Sequence, residues 1–281
     1  MKKQKDFANK EDWMKYLVDK SQEILAVKMA QTKETDCGIS IACYDGVSEA
    51  AKQIVKSLSL EVGKAEPHVL VTVAINTTKF MDSHDDVHID GLWDEGLKQN
   101  KNLPLLKEHK FNFDNILAKG IDVEVKTVDM EWKDLGYEFE GKTQALVFVA
   151  RIYKSRNKEM YENYKDGYVD NHSVGMKYVE TFFAVKDAEG EFGKNWETYY
   201  PMIANKSLAD KKEYFIAVTK AIAVEGSAVP IGSNSATPTL DIEAREKAIK
   251  TFLGTDFVEV AKEKDFTLVK TFLGVEKKYK D

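Results

Sequence analysis

The residues best suited to chemistry in this chain are a serine and a set of histidines. In "YVDNHSVGMKYV" (168–179) Ser173 directly follows His172, and the other histidines are His68, His84, His88 and His109. A serine hydroxyl is a weak nucleophile until a neighbouring base takes its proton. On a strand, adjacent side chains point to opposite faces, so His172 is badly placed to be the base for Ser173. The base must come from another segment. His109 in "LPLLKEHKFNFDNILAKG" (103–120) is the best placed, because it follows an apolar run and precedes a polar loop and a strand. The plainer reading of Ser173 is a hydroxyl at the start of a sheet element.

A second kind of chemistry is metal binding. "MDSHDDVHIDG" (81–91) packs His84, Asp85, Asp86, His88 and Asp90 together, all residue types that can ligate a divalent ion. Their spacing matches no compact metal motif, and a polar turn after the first strand is the plainer account of the aspartates and the glycine. Cys37 and Cys43 are the only cysteines, and their separation is no usual zinc pair, so they read as reduced thiols. The chain lacks G-x-S-x-G, G-x-x-x-x-G-K-[ST] and H-E-x-x-H, and its glycines are dispersed. An ordinary α/β-hydrolase and a phosphate-loop enzyme are thereby excluded.

The elements that must position these residues follow from hydrophobic spacing. Trp13, Tyr16, Leu17, Ile24, Leu25 and Met29 recur at helical intervals across 9–32, and Val47, Ala50, Ala51, Ile54, Val55 and Leu58 do so again before Gly63. From "HVLVTVAIN" (68–76) the chain turns to strands. "IDVEVKTVDMEW" (121–132), "QALVFVARIY" (144–153), "SVGMKYVETFFAV" (173–185) and "EYFIAVTKAIAVEGSAV" (213–229) follow. Met160, Tyr161, Tyr164 and Tyr168 share a helical face between strands. Residues 187–212, rich in Gly, Asn, Lys and Asp, read as a flexible flap. "DIEAREKAIKTFLG" (241–254) reads as a helix closed by Gly254, and "KTFLG" recurs at 270–274, too short to define a repeat. The expected organisation is a helical N-terminal arm (1–66), a strand-rich core (67–236) and a charged helical C-terminal tail (237–281). The fold class is α+β.

With 281 residues, 41 Lys plus Arg and 47 Asp plus Glu, the chain carries a net charge of -6. Acids and bases are interspersed, which is a solvated surface and offers no basic patch for nucleic acid. No apolar run is long enough for a membrane span, and the basic start lacks an apolar leader region. A cytoplasmic protein is expected.

Four segments in order carry a family resemblance: "DSHDDVHIDGLW" (82–93), "NLPLLKEHKFN" (102–112), "HSVGMKYV" (172–179) and "EGSAVPIGSNSAT" (225–237). Together they resemble the prohead (capsid maturation) serine proteases of tailed bacteriophages. That family has an acidic turn after the first strand, a "P-x-L-x-x-H" histidine segment, an "S-[IV]-G-[FYM]" serine strand and a closing "E-x-S-x-V" element. In this chain the end of the last element is compressed or shifted. The resemblance implies Ser173 as nucleophile, His109 as general base and acid, and Glu225 as the carboxylate orienting the imidazole, with Asp114 or Asp170 as substitutes for that third role. It also implies an antiparallel β-barrel-like protease core flanked by helices. The activity implied is serine endopeptidase, without cofactor or metal. The expected substrates are major capsid protein, scaffold segments and the chain's own termini, inside a procapsid in the bacterial host cytoplasm. Self-association is a further expectation, and neither nucleic acid nor membrane is an expected partner. The alternative is a protease fold of weak activity kept as a structural or scaffolding component of the capsid.

Overall fold

The computed structural model describes residues 6–30 and 66–242. The helical pattern expected between Val47 and Gly63 and the "KTFLG" segments lie outside the described residues.

The N-terminal periodicity folds as two helices, α1 (Lys10–Asp19) and α2 (Ser21–Ala30). Asn9 caps α1 by accepting the Asp12 N–H at 2.9 Å, and Trp13 and Leu17, one turn apart, share its buried face. The strand-rich region begins with β1 (His68–Thr77) and β2 (Asp86–His88), then α3 (Asp94–Gln99). It continues through β3 (Leu105–Lys107), β4 (Ile116–Ala118), β5 (Val123–Glu131), β6 (Lys142–Tyr153) and α4 (Lys158–Lys165). The last elements are β7 (His172–Val185), α5 (Glu191–Tyr199), α6 (Lys206–Lys212), β8 (Tyr214–Ala228) and β9 (Thr239–Ile242).

The strands form two sheets. One is antiparallel in the order β5-β6-β1-β9. The other is built on the 15 residues of β8. That strand takes β7 antiparallel along one edge and two short parallel strands, β2 and β3, end to end along the other. β4 then pairs with β3.

Period-two alternation explains how the sheets stack. On β6, Leu146, Phe148, Ala150 and Ile152 face the second sheet, joined by Val69, Val71, Val73 and Ile75 of β1. Ala145, Val147 and Val149 face the other way, onto Phe80, Trp132 and Leu135. Contact between the sheets is close enough to require a glycine. A Cβ on Gly226 of β8 would come within 2.8 Å of Ile75 Cδ1 and 2.9 Å of Phe148 Cε2.

Three expectations change here. The class is α+β, but the core does not close into a barrel: no ladder joins the two sheets among the described residues. The reason is that β6 is apolar on both faces and needs a layer on each side, whereas a barrel wall has a single filled interior. The region 187–212 is also no flap. It forms α5 and α6, held down by Trp196, Ile203 and Ala209 against Phe215 and Ala217 of β8. Its polar composition is the outer face of those helices. Finally, the strand-rich core runs past 236, because β9 pairs with β1 through Val71–Ile242 and Thr72–Asp241. The helix expected from 241 therefore begins, at its first two residues, as strand.

Candidate active site

Strand register brings the resemblance's residues to one place. Val174 of β7 pairs with Gly226 of β8, and both point toward the first sheet. Their neighbours Ser173, Gly175, Glu225 and Ser227 therefore share the opposite, outer face, with Ser173 opposite Ser227 and Gly175 opposite Glu225. β3 lies alongside the same end of β8, with Leu106 opposite Ser227. The chain leaving β3 must turn immediately onto this face, and it does so with Glu108 and His109 both at φ 55. Two consecutive non-glycine residues in the left-handed region cost about 1–2 kcal/mol each. Three bonds hold the turn: Glu108 N–H to the Ala228 carbonyl at 3.0 Å, His109 N–H to Ser227 Oγ at 3.0 Å and Lys110 N–H to the Lys107 carbonyl at 3.2 Å.

This turn delivers the imidazole of His109 to Glu225. His109 Nδ1 lies 2.6 Å from Glu225 Oε1, with the histidine side chain 9% and the glutamate 1% exposed. A carboxylate only accepts, so Nδ1 carries the proton and donates it, which leaves the lone pair on Nε2. The other carboxylate oxygen, Oε2, accepts the Ser227 hydroxyl at 2.6 Å. Both oxygens of a buried carboxylate are thus satisfied, as burial demands. Asp114 and Asp170, the alternatives for the orienting role, are both exposed. Glu225 is the carboxylate that stands beside the His109 ring.

Gly175 makes the carboxylate's position available. A Cβ there would lie 2.2 Å from Glu225 Oε1, so only glycine lets the side chain lie flat across β7. His109 Nε2 is buried and has no hydrogen-bond partner among the described residues. Ser173, 7% exposed, stands on the same face, but no hydrogen bond joins its Oγ to Nε2 in this structure. Phe111 and Phe113, on the loop just past His109, are 63% and 87% exposed and offer apolar surface there.

His172 is the bystander that strand geometry predicts. Its ring faces the interior, with Nε2 accepting the Tyr164 hydroxyl at 3.0 Å and Nδ1 donating to the Thr237 carbonyl at 3.2 Å. Burial outweighs the carbonyl bond and lowers its pKa to about 4, so the ring is neutral.

The metal candidates disperse. Asp85 turns to Lys212 at 2.5 Å and the Tyr214 hydroxyl at 2.7 Å, and Asp90 pairs with Lys79 at 2.5 Å. Asp82, Asp86 and His88 do bring ligand-type atoms within 4.8 Å of one another. Asp86, however, already has a cation. Its Oδ1 is ion-paired with Lys28 of α2, and its Oδ2 accepts the Tyr178 hydroxyl at 2.6 Å. The turn character is evident in the bonds from the Asp86 and His84 N–H groups to Asp82 Oδ1, at 3.1 and 2.8 Å.

Sequence reasoning missed two contributors, Gly175 as a space-maker and Ser227 as a bridge. Glu225 and Ser227 at i and i+2 on a strand share a face, which was a usable signal. That Lys28 would reach Asp86 had no local signal. Comparison of the chain with protein-family models, curated proteins and solved structures finds no match in any of the three.

Proposed function

We propose that the chain is a serine endopeptidase in which Ser173 is the nucleophile, His109 the base and acid, and Glu225 the orienting carboxylate. The observation that carries this reading is the 2.6 Å bond from His109 Nδ1 to the buried Glu225, on the sheet face that also presents Ser173. The carboxylate fixes the tautomer with Nε2 as base and stabilises the imidazolium formed in the transition state. Ser173 Oγ attacks the peptide carbonyl carbon while its proton passes to Nε2, and the carbonyl electrons move onto oxygen. Collapse of that adduct expels the amine, which takes the proton from Nε2 and leaves an acyl-serine. Water, deprotonated by the same nitrogen, then releases the acid and restores the hydroxyl. The four ordered sequence segments support the finer proposal that the substrates are capsid and scaffold segments, and the chain's own termini, in a phage procapsid.

The test is covalent labelling with a fluorophosphonate, alongside intact-mass analysis of the chain incubated with candidate capsid proteins. Ser173→Ala abolishes labelling, and Ser173→Ala and His109→Ala each lower turnover by about 10⁴-fold or more. Labelling that persists in Ser173→Ala would overturn the assignment.

One observation favours a second reading, a protease fold of weak activity serving as a structural component: His109 Nε2 is buried and not bonded to Ser173. Absence of labelling and cleavage in the wild type, with Ser173→Ala still supporting normal shell assembly, would select it.

A further inference from the structure

We infer that Ser227 is a positioning residue that fixes the base and its carboxylate together. This rests on the endopeptidase reading above and adds a fourth member to its constellation. Ser227 is fully buried, and its hydroxyl makes two bonds in opposite senses. It donates to Glu225 Oε2 at 2.6 Å and accepts the backbone N–H of His109 at 3.0 Å. A single oxygen therefore ties the carboxylate to the main chain of the histidine that the carboxylate must face.

The need for such a tie is visible in the backbone. His109 sits at φ 55, directly after Glu108 at φ 55, and an unsupported turn of this kind relaxes toward ordinary dihedrals. Relaxation would swing the imidazole away from Glu225. The carboxylate has the converse problem. With only His109 Nδ1 as partner it is free to rotate about its last torsion, a broad two-fold well. The Ser227 hydroxyl fixes that rotation by holding Oε2, leaving Oε1 to face the ring. Strand geometry makes the arrangement possible, because residues 225 and 227 project from the same face of β8 and β3 pairs beside them.

The same oxygen cannot serve as the nucleophile in this geometry. Its proton is committed to Glu225 and its lone pair to the His109 amide.

The experiment compares Ser227→Ala, which removes the hydroxyl and always fits, with Ser227→Thr, which keeps it. Two readouts are taken on the full-length chain. The first is the His109 Nδ1 proton in ¹⁵N-histidine spectra, recorded in the Ser173→Ala background so that it does not depend on turnover. The expected result is a sheltered downfield proton that is lost or broadened in Ser227→Ala and present in Ser227→Thr. The second is steady-state hydrolysis of a casein-derived fluorogenic substrate. There kcat falls about 10- to 100-fold in Ser227→Ala with KM changed less than threefold, and Ser227→Thr recovers most of the loss. A Ser227→Ala chain with an unchanged Nδ1 proton and unchanged kcat overturns the inference. A Ser227-dependent proton signal in a chain that never labels at Ser173 upholds the positioning role while the endopeptidase reading falls. Labelling and turnover that need Ser173 but ignore Ser227 do the opposite.

Discussion

At the scale of single residues, the site depends on where a side chain is missing as much as on where one is present. Gly175 carries no chemistry, yet it determines whether Glu225 can reach His109. In Gly175→Ala the new methyl would occupy the space of the Glu225 carboxylate, which stands 2.2 Å from the ideal Cβ position. The carboxylate cannot simply move, because Ser227 and His109 hold both its oxygens. The expected outcome is a fall in kcat of about 100-fold or more, with a stability loss of about 1–3 kcal/mol from overpacking. Hydrolysis rates beside urea unfolding check this. Near wild-type turnover in a folded Gly175→Ala chain would mean that the carboxylate contact does not matter. Glu225→Gln asks the complementary question. An amide can present its NH₂ group to Nδ1 and so favour the wrong tautomer, and a drop in kcat of about 10⁴-fold is expected.

At the scale of elements, the notable contact is between α2 and the turn before β2. Lys28 reaches Asp86, its ammonium also donating to the His84 carbonyl at 2.8 Å. Asp86 is buried, and without a cation its charge would be uncompensated. This makes the N-terminal helices structural members of the core, alongside the apolar contribution of Trp13, Leu17 and Ile24. Lys28→Ala is expected to lower stability by about 3 kcal/mol, since removing one partner strands a buried carboxylate. Urea midpoints and the rate of limited proteolysis within 6–30 measure this. The ion pair belongs to the β2 segment of β8, at Ile216–Val218, whereas Glu225 and Ser227 lie toward the far end of the same strand. Turnover per folded molecule should therefore be retained. A midpoint equal to wild type would show that the pair contributes nothing net.

At the scale of the whole molecule, folding stability is coupled to pH through His172. Its imidazole is held neutral in the native state, with a pKa of about 4 against 6.5 when unfolded. Between those values the unfolded chain binds more protons than the folded one, so stability rises with pH. The contribution is complete above about pH 6.5 and is lost as pH falls toward 4, a change of about 3 kcal/mol. Unfolding midpoints between pH 7 and 4.5 should fall accordingly, and His172→Gln should remove that part of the slope. An identical slope in the variant would sink the assignment. No helix among the described residues is long and apolar enough to cross a membrane.

The amino-acid sequence determined the elements and the cast. All five long strands stand where alternation places them, because side-chain period is a local property that burial on one or both faces writes directly into residue type. It also separated His172 from Ser173, since adjacent residues on a strand cannot share a face. What it could not decide was anything requiring two distant segments to meet. The apolar residues of β6 do not say which strands pair beside it, and it is the strand order, with no ladder between the two sheets among the described residues, that separates stacked layers from a barrel. The polar composition of 187–212 concealed the single buried faces of two short helices. The bonds from Ser227 to His109 and from Lys28 to Asp86 join residues far apart in the chain, and their geometry exists only once β3, β8 and α2 are docked. Local patterning fixes secondary structure through burial, whereas the hydrogen bonds of a site are set by register and close packing, which are properties of the folded whole.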